Sequence, residues 1–311
     1  MKAIRATQGR VEVVDVDPPQ GEGVAIRVRS VGICGSDLHM LEAGFPVAGI
    51  LGHEIAGETP DGTAVAIEPI APCGRCEGCL SGSYNLCNVG PEMWIGTGAD
   101  GGMAEEMRVP ERCLVPLPRG IRVEDACVIE PLAVALHAVR RAHLQGSERV
   151  AVVGGGTIGL CTVAAARAAG ATVALEARHD AQRAAGERLG AKAPADGYDV
   201  CFEASGSSEG FARAAALCRP GGRIVLVGTF WEGCEMPAME VCMKELDIAP
   251  ASAYASAGAI RDIDVAASLL GQQPGIAETL ITHRFPLEAG PEAFETAARR
   301  SQGAIKVVLE P

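Results

Sequence analysis

Apolar and polar residues follow two different patterns along this chain of 311 residues. Over about the first 120 residues, Gly and Pro interrupt short alternating runs such as Val11–Val16 and Ala25–Arg29, which predict strands joined by turns. From about Val123, Ala-rich stretches with helical spacing alternate with short Val/Ile/Leu runs that end in Gly. The second pattern predicts β-α units around a parallel sheet, so we expect a domain boundary near Val123.

The pattern in the second part predicts individual strands and helices. Strands are predicted at 149–153, 172–176, 199–203 and 223–227, and helices at 157–169, 181–189 and 210–218. One more helix is expected at 260–270 and a final strand at 304–310. The resulting fold class is α/β, with a doubly wound parallel sheet in the second part.

Composition narrows the classes of function. The 27 basic and 39 acidic residues give a formal net charge of −12, which disfavours nucleic acids and anionic membrane surfaces as partners. No apolar run approaches the roughly 20 residues needed to span a bilayer, and the residues after Met1 do not resemble a signal peptide. We therefore expect a cytoplasmic protein.

Four cysteines are spaced C-x2-C-x2-C-x7-C, at Cys73, Cys76, Cys79 and Cys87. This spacing allows four thiolates to surround one zinc ion. Disulfides are the alternative, but most of the other cysteines stand in apolar runs, where a free thiol behaves as a small buried hydrophobe. The quartet predicts a structural zinc site.

A glycine-rich loop follows the strand predicted at 149–153. Its G-x-G-x-x-G pattern lets backbone amides approach a pyrophosphate, to which the start of the next helix adds partial positive charge. The residues expected to contact a dinucleotide are Gly154, Gly156, Thr157, Ile158 and Gly159.

The residues after the second β-α strand bear on the choice between NAD and NADP. Glu176 stands roughly 20 residues beyond the loop, where a carboxylate would bind the ribose 2′-hydroxyl. Counting back from Leu189 places Ala177 at that position instead, with Arg178 beside it to accept a 2′-phosphate. We therefore expect NAD(P), with a slight preference for NADP, and Glu176 remains the alternative contact.

A second set of metal-ligand types lies around the quartet in sequence. Cys34, His53 and Glu130 offer a thiolate, an imidazole and a carboxylate, which suit a catalytic zinc with an open fourth position. Each residue taken singly has an ordinary structural explanation. In combination they predict a second zinc site.

Taken together these motifs resemble the zinc-dependent medium-chain dehydrogenases, the superfamily of alcohol, polyol and threonine dehydrogenases. The motifs that carry the resemblance are Gly32–His39, Leu51–Glu54, the cysteine quartet, Asp100–Glu105, Gly154–Gly159 and Gly303–Val308. The resemblance covers essentially the whole chain. It implies a GroES-like β-barrel catalytic domain at 1–123, a Rossmann domain at 124–258 and a segment at 259–311 that returns to the catalytic domain.

The resemblance also implies the roles of residues. Cys34 and His53 would bind the catalytic zinc, Glu130 matches the carboxylate ligand of polyol dehydrogenases, and Glu54 would lie behind the ligands or exchange with one. Ser36 would take the alcohol proton, and His39 would pass it to solvent through the cofactor ribose.

The implied activity is NAD(P)-linked hydride transfer to or from a secondary alcohol. A polyol- or sugar-derived alcohol is favoured because of Glu130. The implied assembly is a homodimer or homotetramer.

Two departures from the family pattern are visible. Only thirteen residues separate His39 from His53, and the segment 192–198 is short, so one element of the Rossmann sheet is expected to be trimmed. A zinc-free quinone or enoyl reductase and a non-catalytic cofactor-binding protein are the alternative functions.

Overall fold

The computed structural model of the protein describes residues 1–7, 9–44 and 49–311. The chain divides into two compact units. The first unit joins Met1–Glu130 to Ala255–Pro311, and the second unit is Pro131–Tyr254. The sequence-based boundaries at 123 and 258 lie close to these and stay predictions.

The first unit is mainly strands, as the Gly- and Pro-punctuated pattern predicts. Its strands are β1 (Lys2–Thr7), β2 (Arg10–Asp15), β3 (Val24–Gly32), β4 (Glu54–Glu58), β5 (Ala64–Ile67), β6 (Glu106–Val109) and β7 (Leu114–Pro116). Its helices in this part of the chain are α1 (Gly35–Glu42) and α2 (Glu77–Leu80), and α3 (Ile129–Arg141) begins at its end.

The second unit alternates strands and helices. The strands are β8 (Arg149–Val153), β9 (Thr172–Glu176), β10 (Tyr198–Glu203), β11 (Cys218–Leu226) and β12 (Asp247–Pro250). The helices between them are α4 (Thr157–Ala168), α5 (Asp180–Arg188), α6 (Ser208–Leu217) and α7 (Ala238–Met243). All pairings in this sheet are parallel, in the order β12-β11-β10-β8-β9.

The chain then returns to the first unit. This segment forms β13 (Ser256–Ala257), β14 (Ile260–Arg261), α8 (Asp262–Gln272), α9 (Gly275–Leu280), β15 (Ile281–Pro286), α10 (Gly290–Ala298) and β16 (Lys306–Glu310). Strand β16 pairs antiparallel with β3 in a seven-stranded sheet of order β15-β16-β3-β4-β5-β7, with β6 also on β3. Apolar side chains from both parts of the sequence, including Ile55 and Leu309, share its buried core.

Local chemistry explains the β-α units. Strand β8 buries four consecutive apolar residues, as a strand with helices on both faces must. Helix α4 is Ala-rich and ends before Gly170, whose φ of +89° suits a left-handed helix end. Helix α6 begins where the Ser207 hydroxyl accepts a hydrogen bond from the Gly210 amide.

The predicted α/β fold class is confirmed, and the shortened sheet is also found. After β9 the chain forms a single parallel bridge, Ala174 to Lys192, where a Rossmann sheet carries a further strand. Helices α7, α9 and α10 and strands β12 and β15 were not expected from the sequence. His143 lies beyond the end of α3 with a φ of +51°. Within the described residues, no helix combines the length and the apolar character that crossing a membrane requires.

Candidate metal centres and cofactor site

The first candidate metal centre is built where β3 ends and α1 begins. Cys34 is the residue before α1, and its amide donates to Asp37 Oδ2 at 2.9 Å. The other oxygen of this fully buried carboxylate, Oδ1, lies 3.5 Å from His53 Nδ1. Asp37 therefore fixes both the turn that presents Cys34 and the ring of His53, so that His53 Nε2 faces the other donors.

Cys34, His53 and Glu54 each bring one ligand atom to within 4.8 Å of the other two. Glu54 is the first residue of β4 and is also fully buried. Its Oε1 accepts a hydrogen bond from Lys306 Nζ at 2.7 Å, and Oε2 lies 2.6 Å from the same nitrogen. Lys306 also donates to the Ile33 carbonyl at 2.8 Å. The Glu54 charge is thus balanced by a buried ammonium group.

Glu130 lies at the start of α3 and is almost fully buried. It is not part of the three-residue cluster, although it is near enough to His53 for each side chain to shift the pKa of the other. Burial raises the pKa of Glu130 to about 7, while His53 opposes the rise. Without a cation nearby, burial drives this carboxyl group towards its neutral form.

The residues present fit a divalent cation. Asp37 Oδ1 and His53 Nδ1 are buried and face each other at 3.5 Å, and neither atom has a closer hydrogen-bond partner among the described residues. Burial lowers the pKa of His53, yet Asp37 and Cys34 together raise it well above its usual value. A divalent cation would compensate this surplus of negative charge around the imidazole, and thiolate, imidazole and carboxylate are the ligands that zinc takes.

The two expected proton-relay residues both lie on α1. Ser36 Oγ is 3.4 Å from His53 Nε2, on the side of the ring turned away from Asp37. His39 stands one turn further along the helix and is partly buried. The described structure thus groups Ser36 with the metal-ligand types. Residues 45–48, in the short stretch between His39 and His53, lie outside the described residues.

The second candidate centre is the cysteine quartet. The Cys76 sulfur lies 3.4 Å from that of Cys79 and 3.7 Å from that of Cys87, and Cys73 is 3.9 Å from Cys79. None of the four forms a disulfide. Thiolates about 2.3 Å from one tetrahedral zinc would be separated by about 3.8 Å, which agrees with these distances.

Backbone amides support the charge of the quartet. Hydrogen bonds from the amides of Asn88 and Cys79 lower the pKa of Cys76 to about 6, whereas burial raises that of Cys79 to about 12. Gly74 and Gly82, with φ of +72° and +85°, supply the left-handed turns of this loop. The lobe around the quartet therefore suits a structural zinc.

Buried polar contacts fasten this lobe to the rest of the first unit. Tyr84, between the third and fourth cysteines, donates to Glu68 at 2.5 Å and contacts the Ala255 carbonyl at 3.1 Å. Arg261 pairs with the same Glu68 at 2.9 Å and with Asp264 at 2.7 Å. The lobe is thus tied to the segment that returns late in the sequence.

The cofactor loop lies between β8 and α4, as predicted. A Cβ at Gly154, whose φ is +109°, would press on the Ala204 carbonyl carbon at 2.8 Å, and a Cβ at Gly159 would clash with the Gly154 oxygen. A Cβ at Gly156 would meet nothing within 4 Å. The loop therefore leaves a cradle at Gly156, just before the amides of Thr157 and Ile158, which fits a pyrophosphate group.

A buried carboxylate braces the neighbouring turns. Glu203, the last residue of β10, accepts hydrogen bonds from the amides of Ser205 and Gly206, at 2.8 and 3.1 Å, and from the Ser205 hydroxyl. Its backbone oxygen accepts from Val227 and Gly228. These turns lie at the carboxyl ends of adjacent strands, where α/β sheets bind ligands.

The two expected specificity residues are placed differently. Glu176 ends β9, and both of its carboxylate oxygens accept from Arg213 Nε at 2.8 Å. Ala177 lies against the loop, since a Cβ at Gly155 would clash with its methyl group. Arg178 is exposed. The structure thus places the Ala177 methyl group and the Glu176 backbone carbonyl, which accepts from the Gly154 amide at 2.9 Å, beside the glycine loop, whereas the Glu176 carboxylate contacts Arg213.

Four contributors were missed by sequence reasoning: Asp37, Glu203, Arg213 and Lys306. Asp37 and Lys306 fall within motifs that carried the resemblance, but only a contact shows what each one does. Glu54 and Lys306 are 252 residues apart, so no local pattern could join them. Arg213 gave no signal beyond a charge on a helix.

Two family profiles match separate parts of the chain. The family profile "Alcohol dehydrogenase GroES-like domain" matches residues 20–119, and the profile "Zinc-binding dehydrogenase" matches residues 192–268. Sorbitol dehydrogenase from Bacillus subtilis (strain 168) is 31% identical over 342 residues, covering 97% of this chain and 94% of its own length.

Solved structures agree over the full length. Galactitol-1-phosphate dehydrogenase from Escherichia coli has a TM-score of 0.89 at 28% identity and covers 100% of both chains. A protein from Sinorhizobium meliloti 1021, described as a zinc-binding dehydrogenase and solved bound to NADP, has a TM-score of 0.85 at 29% identity, covering 100% of this chain and 99% of its own. The chain belongs to the zinc-dependent medium-chain dehydrogenase/reductase superfamily, and it is an NAD(P)-dependent alcohol dehydrogenase.

Proposed function

We propose that the protein interconverts a polyol or sugar-derived secondary alcohol and the matching ketone, with NADP as the preferred cofactor and one catalytic and one structural zinc per chain. The observation that carries this proposal is the buried cluster of Cys34, His53 and carboxylates, with Ser36 beside it. The names of the relatives, sorbitol dehydrogenase and galactitol-1-phosphate dehydrogenase, support an alcohol with several hydroxyl groups.

Cys34, His53 and Glu130 would hold the catalytic zinc. Distance alone favours Glu54 as the third ligand, but charge balance favours Glu130. Glu54 already shares its charge with Lys306, whereas His53 and Lys306 favour the charged form of Glu130 too little to offset its burial. Glu130 is the carboxylate that needs a metal to remain charged, because burial raises its pKa to about 7.

Zinc, when bound, acts as a Lewis acid that lowers the pKa of the substrate hydroxyl. Ser36 would accept the hydroxyl proton, since its Oγ lies on the His53 Nε2 side of the centre. His39, on the same helix, would carry that proton onwards. Asp37 holds the His53 ring and is a positioning residue.

The nicotinamide cofactor, when bound, accepts or donates the hydride. The amides at Gly156, Thr157 and Ile158 would bind its pyrophosphate, and Arg178 would bind the 2′-phosphate. The small side chain of Ala177, which lies against Gly155, would leave room for that phosphate. The NADP-bound relative is consistent with this choice.

A substrate panel tests the reaction. Secondary alcohols, polyols, phosphorylated polyols and their ketones are offered with each cofactor, and nicotinamide absorbance is followed. We expect turnover with polyols and a higher kcat/KM with the phosphorylated cofactor. Reduction of enones by metal-free protein, without alcohol oxidation, would instead favour the quinone reductase alternative.

Zinc content tests the ligand set. Wild-type protein should hold two zinc ions per chain. Glu130→Gln should retain only the zinc of the cysteine quartet, whereas the double variant Glu54→Gln/Lys306→Met, which removes both charges of the buried pair, should retain both ions. The opposite result would make Glu54 the ligand. Cobalt substitution gives a second readout, in which the Cys34 site is followed as the difference in thiolate absorption between wild type and Glu130→Gln.

By analogy with relatives we also propose a homodimer or homotetramer. Light scattering of the purified protein measures the subunit number directly.

A further inference from the structure

The ion pair between Glu176 and Arg213 lies at the end of β9, next to Ala177 and Arg178, on which the proposed choice of cofactor depends. Arg213 is on α6, and its Nε is 2.8 Å from each of the two carboxylate oxygens. The side chains are 33% and 42% exposed, so the pair is within reach of a ligand in solvent. An exposed ion pair of this kind contributes little to the stability of the fold. Any importance of this pair therefore comes from its position.

The contact with Arg213 leaves the Glu176 carboxylate unable to accept hydrogen bonds from the adenosine ribose. A carboxylate that binds the adenosine ribose receives hydroxyl groups at its oxygens and needs their open side. Here the Arg213 Nε–H points between the two oxygens and occupies that side. Glu176 contacts the glycine loop only through its backbone carbonyl, and the side chain that lies against the loop is the methyl group of Ala177.

We propose that Arg213 is a specificity-determining residue for the cofactor. It neutralises Glu176 and holds it away from the ribose, so that a 2′-phosphate next to Arg178 meets no free carboxylate. The inference rests on the proposed preference for NADP. Loss of the Arg213 charge releases an anion that repels the 2′-phosphate and can accept a 2′-hydroxyl, and both effects shift binding towards NAD.

The magnitude follows from Coulomb's law. One unit charge acting on another across a few ångströms of water changes an affinity by about fivefold, and salt screens the effect. We therefore expect Arg213→Ala to lower the ratio of NADPH to NADH affinity by about five- to tenfold at low ionic strength. The loss should become smaller in high salt.

The chain supplies a matched control. Arg219 and Asp199 form a second ion pair in the same unit, also at 2.8 Å, with side chains 48% and 30% exposed. Arg219→Ala removes an equivalent pair that lies away from Glu176 and Arg178 in sequence. It should leave the affinity ratio unchanged, which separates a local charge effect from a general loss of stability.

The experiment measures dissociation constants of NADPH and NADH by cofactor fluorescence, so it does not depend on turnover. Arg213→Ala should lower the ratio, Glu176→Gln/Arg213→Ala should restore it, and Glu176→Gln alone should leave NADH binding intact. Circular dichroism verifies that each variant is folded, and Arg213→Gln replaces any variant that is not.

Several results would overturn the inference: an unchanged ratio in Arg213→Ala, a double variant that is not restored, or a large loss of NADH affinity in Glu176→Gln. A wild-type protein that binds NADH more tightly would overturn both the inference and the NADP preference. Absence of turnover with every alcohol, with the binding ratios as expected, would overturn only the proposed reaction.

Discussion

Lys306→Met should destabilise the first unit strongly. Lys306 and Glu54 are each only 1% exposed, and the ammonium group contacts both carboxylate oxygens and the Ile33 carbonyl. The substitution keeps a long apolar side chain but leaves a carboxylate and a carbonyl buried without a donor. Breaking a buried pair in this way costs about 3–5 kcal/mol.

Two further variants isolate the cause. Glu54→Gln/Lys306→Met removes both charges, so it should recover most of the loss. Lys2→Met breaks a pair with Asp15 of the same length, 2.7 Å, whose side chains are 42% and 76% exposed. This exposed pair should contribute nothing measurable, because water solvates both partners after the change.

The assay is urea unfolding of zinc-loaded protein, followed by circular dichroism, with zinc content measured before each titration. For an m value of about 3 kcal/mol/M, the expected loss lowers the midpoint by about 1–1.7 M. A midpoint within error of wild type would refute the reasoning. So would a double variant as unstable as the single one, since the unpaired carboxylate would then not be the cause.

Four other substitutions follow from the described geometry. Gly156→Ala should fold normally but weaken dinucleotide binding, measured by cofactor fluorescence. Gly159→Ala, whose Cβ has no space, should instead lower the melting temperature. Equal effects of the two variants would contradict the proposal that Gly156 forms a cradle for the pyrophosphate. Asp37→Asn should weaken zinc binding about 10–100-fold in chelator competition, because it weakens the hold on His53. Tyr84→Phe should cost about 1–3 kcal/mol in urea unfolding by leaving buried acceptors unpaired, and unchanged stability would make that contact unimportant.

Much of the second unit could be predicted from the sequence. The expected β-α elements appear within two residues of their predicted ends, apart from the start of β11. Their apolar runs, Ala-rich helices and terminal glycines are all local signals. Strand β11 begins earlier than predicted, at Cys218. Its first part includes Pro220 and two glycines, which in the sequence indicate a turn, and its pairing with β10 shifts register there.

The missed elements are short or weakly patterned. Helix α7 has six residues and buries none of them, so it carries no amphipathic period. Strand β15, from Ile281 to Pro286, is half-buried and includes two charged or titratable residues in its centre. Such segments gain their structure from neighbours, in this case from pairing with β16.

The candidate site could also be predicted only in part. Ligand types and spacings pointed to Cys34, His53 and the quartet; the structure groups Cys34 and His53 with Glu54, and groups the four quartet cysteines with one another. The sequence could not rank Glu54 against Glu130, because the deciding charge belongs to Lys306, far along the chain. It also left Glu176 open, since the partner that occupies it comes from a different helix.

The return of β16 to β3 bears on the order of events during synthesis. Residues 131–254 form their unit from contiguous chain, so the ribosome delivers all of it before β16 emerges. The ammonium group that balances Glu54 is translated 252 residues after its partner. Until β16 is made, Glu54 lacks its ammonium partner and β3 lacks a neighbouring strand, whereas residues 131–254 can already fold. Chaperones that bind partly folded chains would act during this interval.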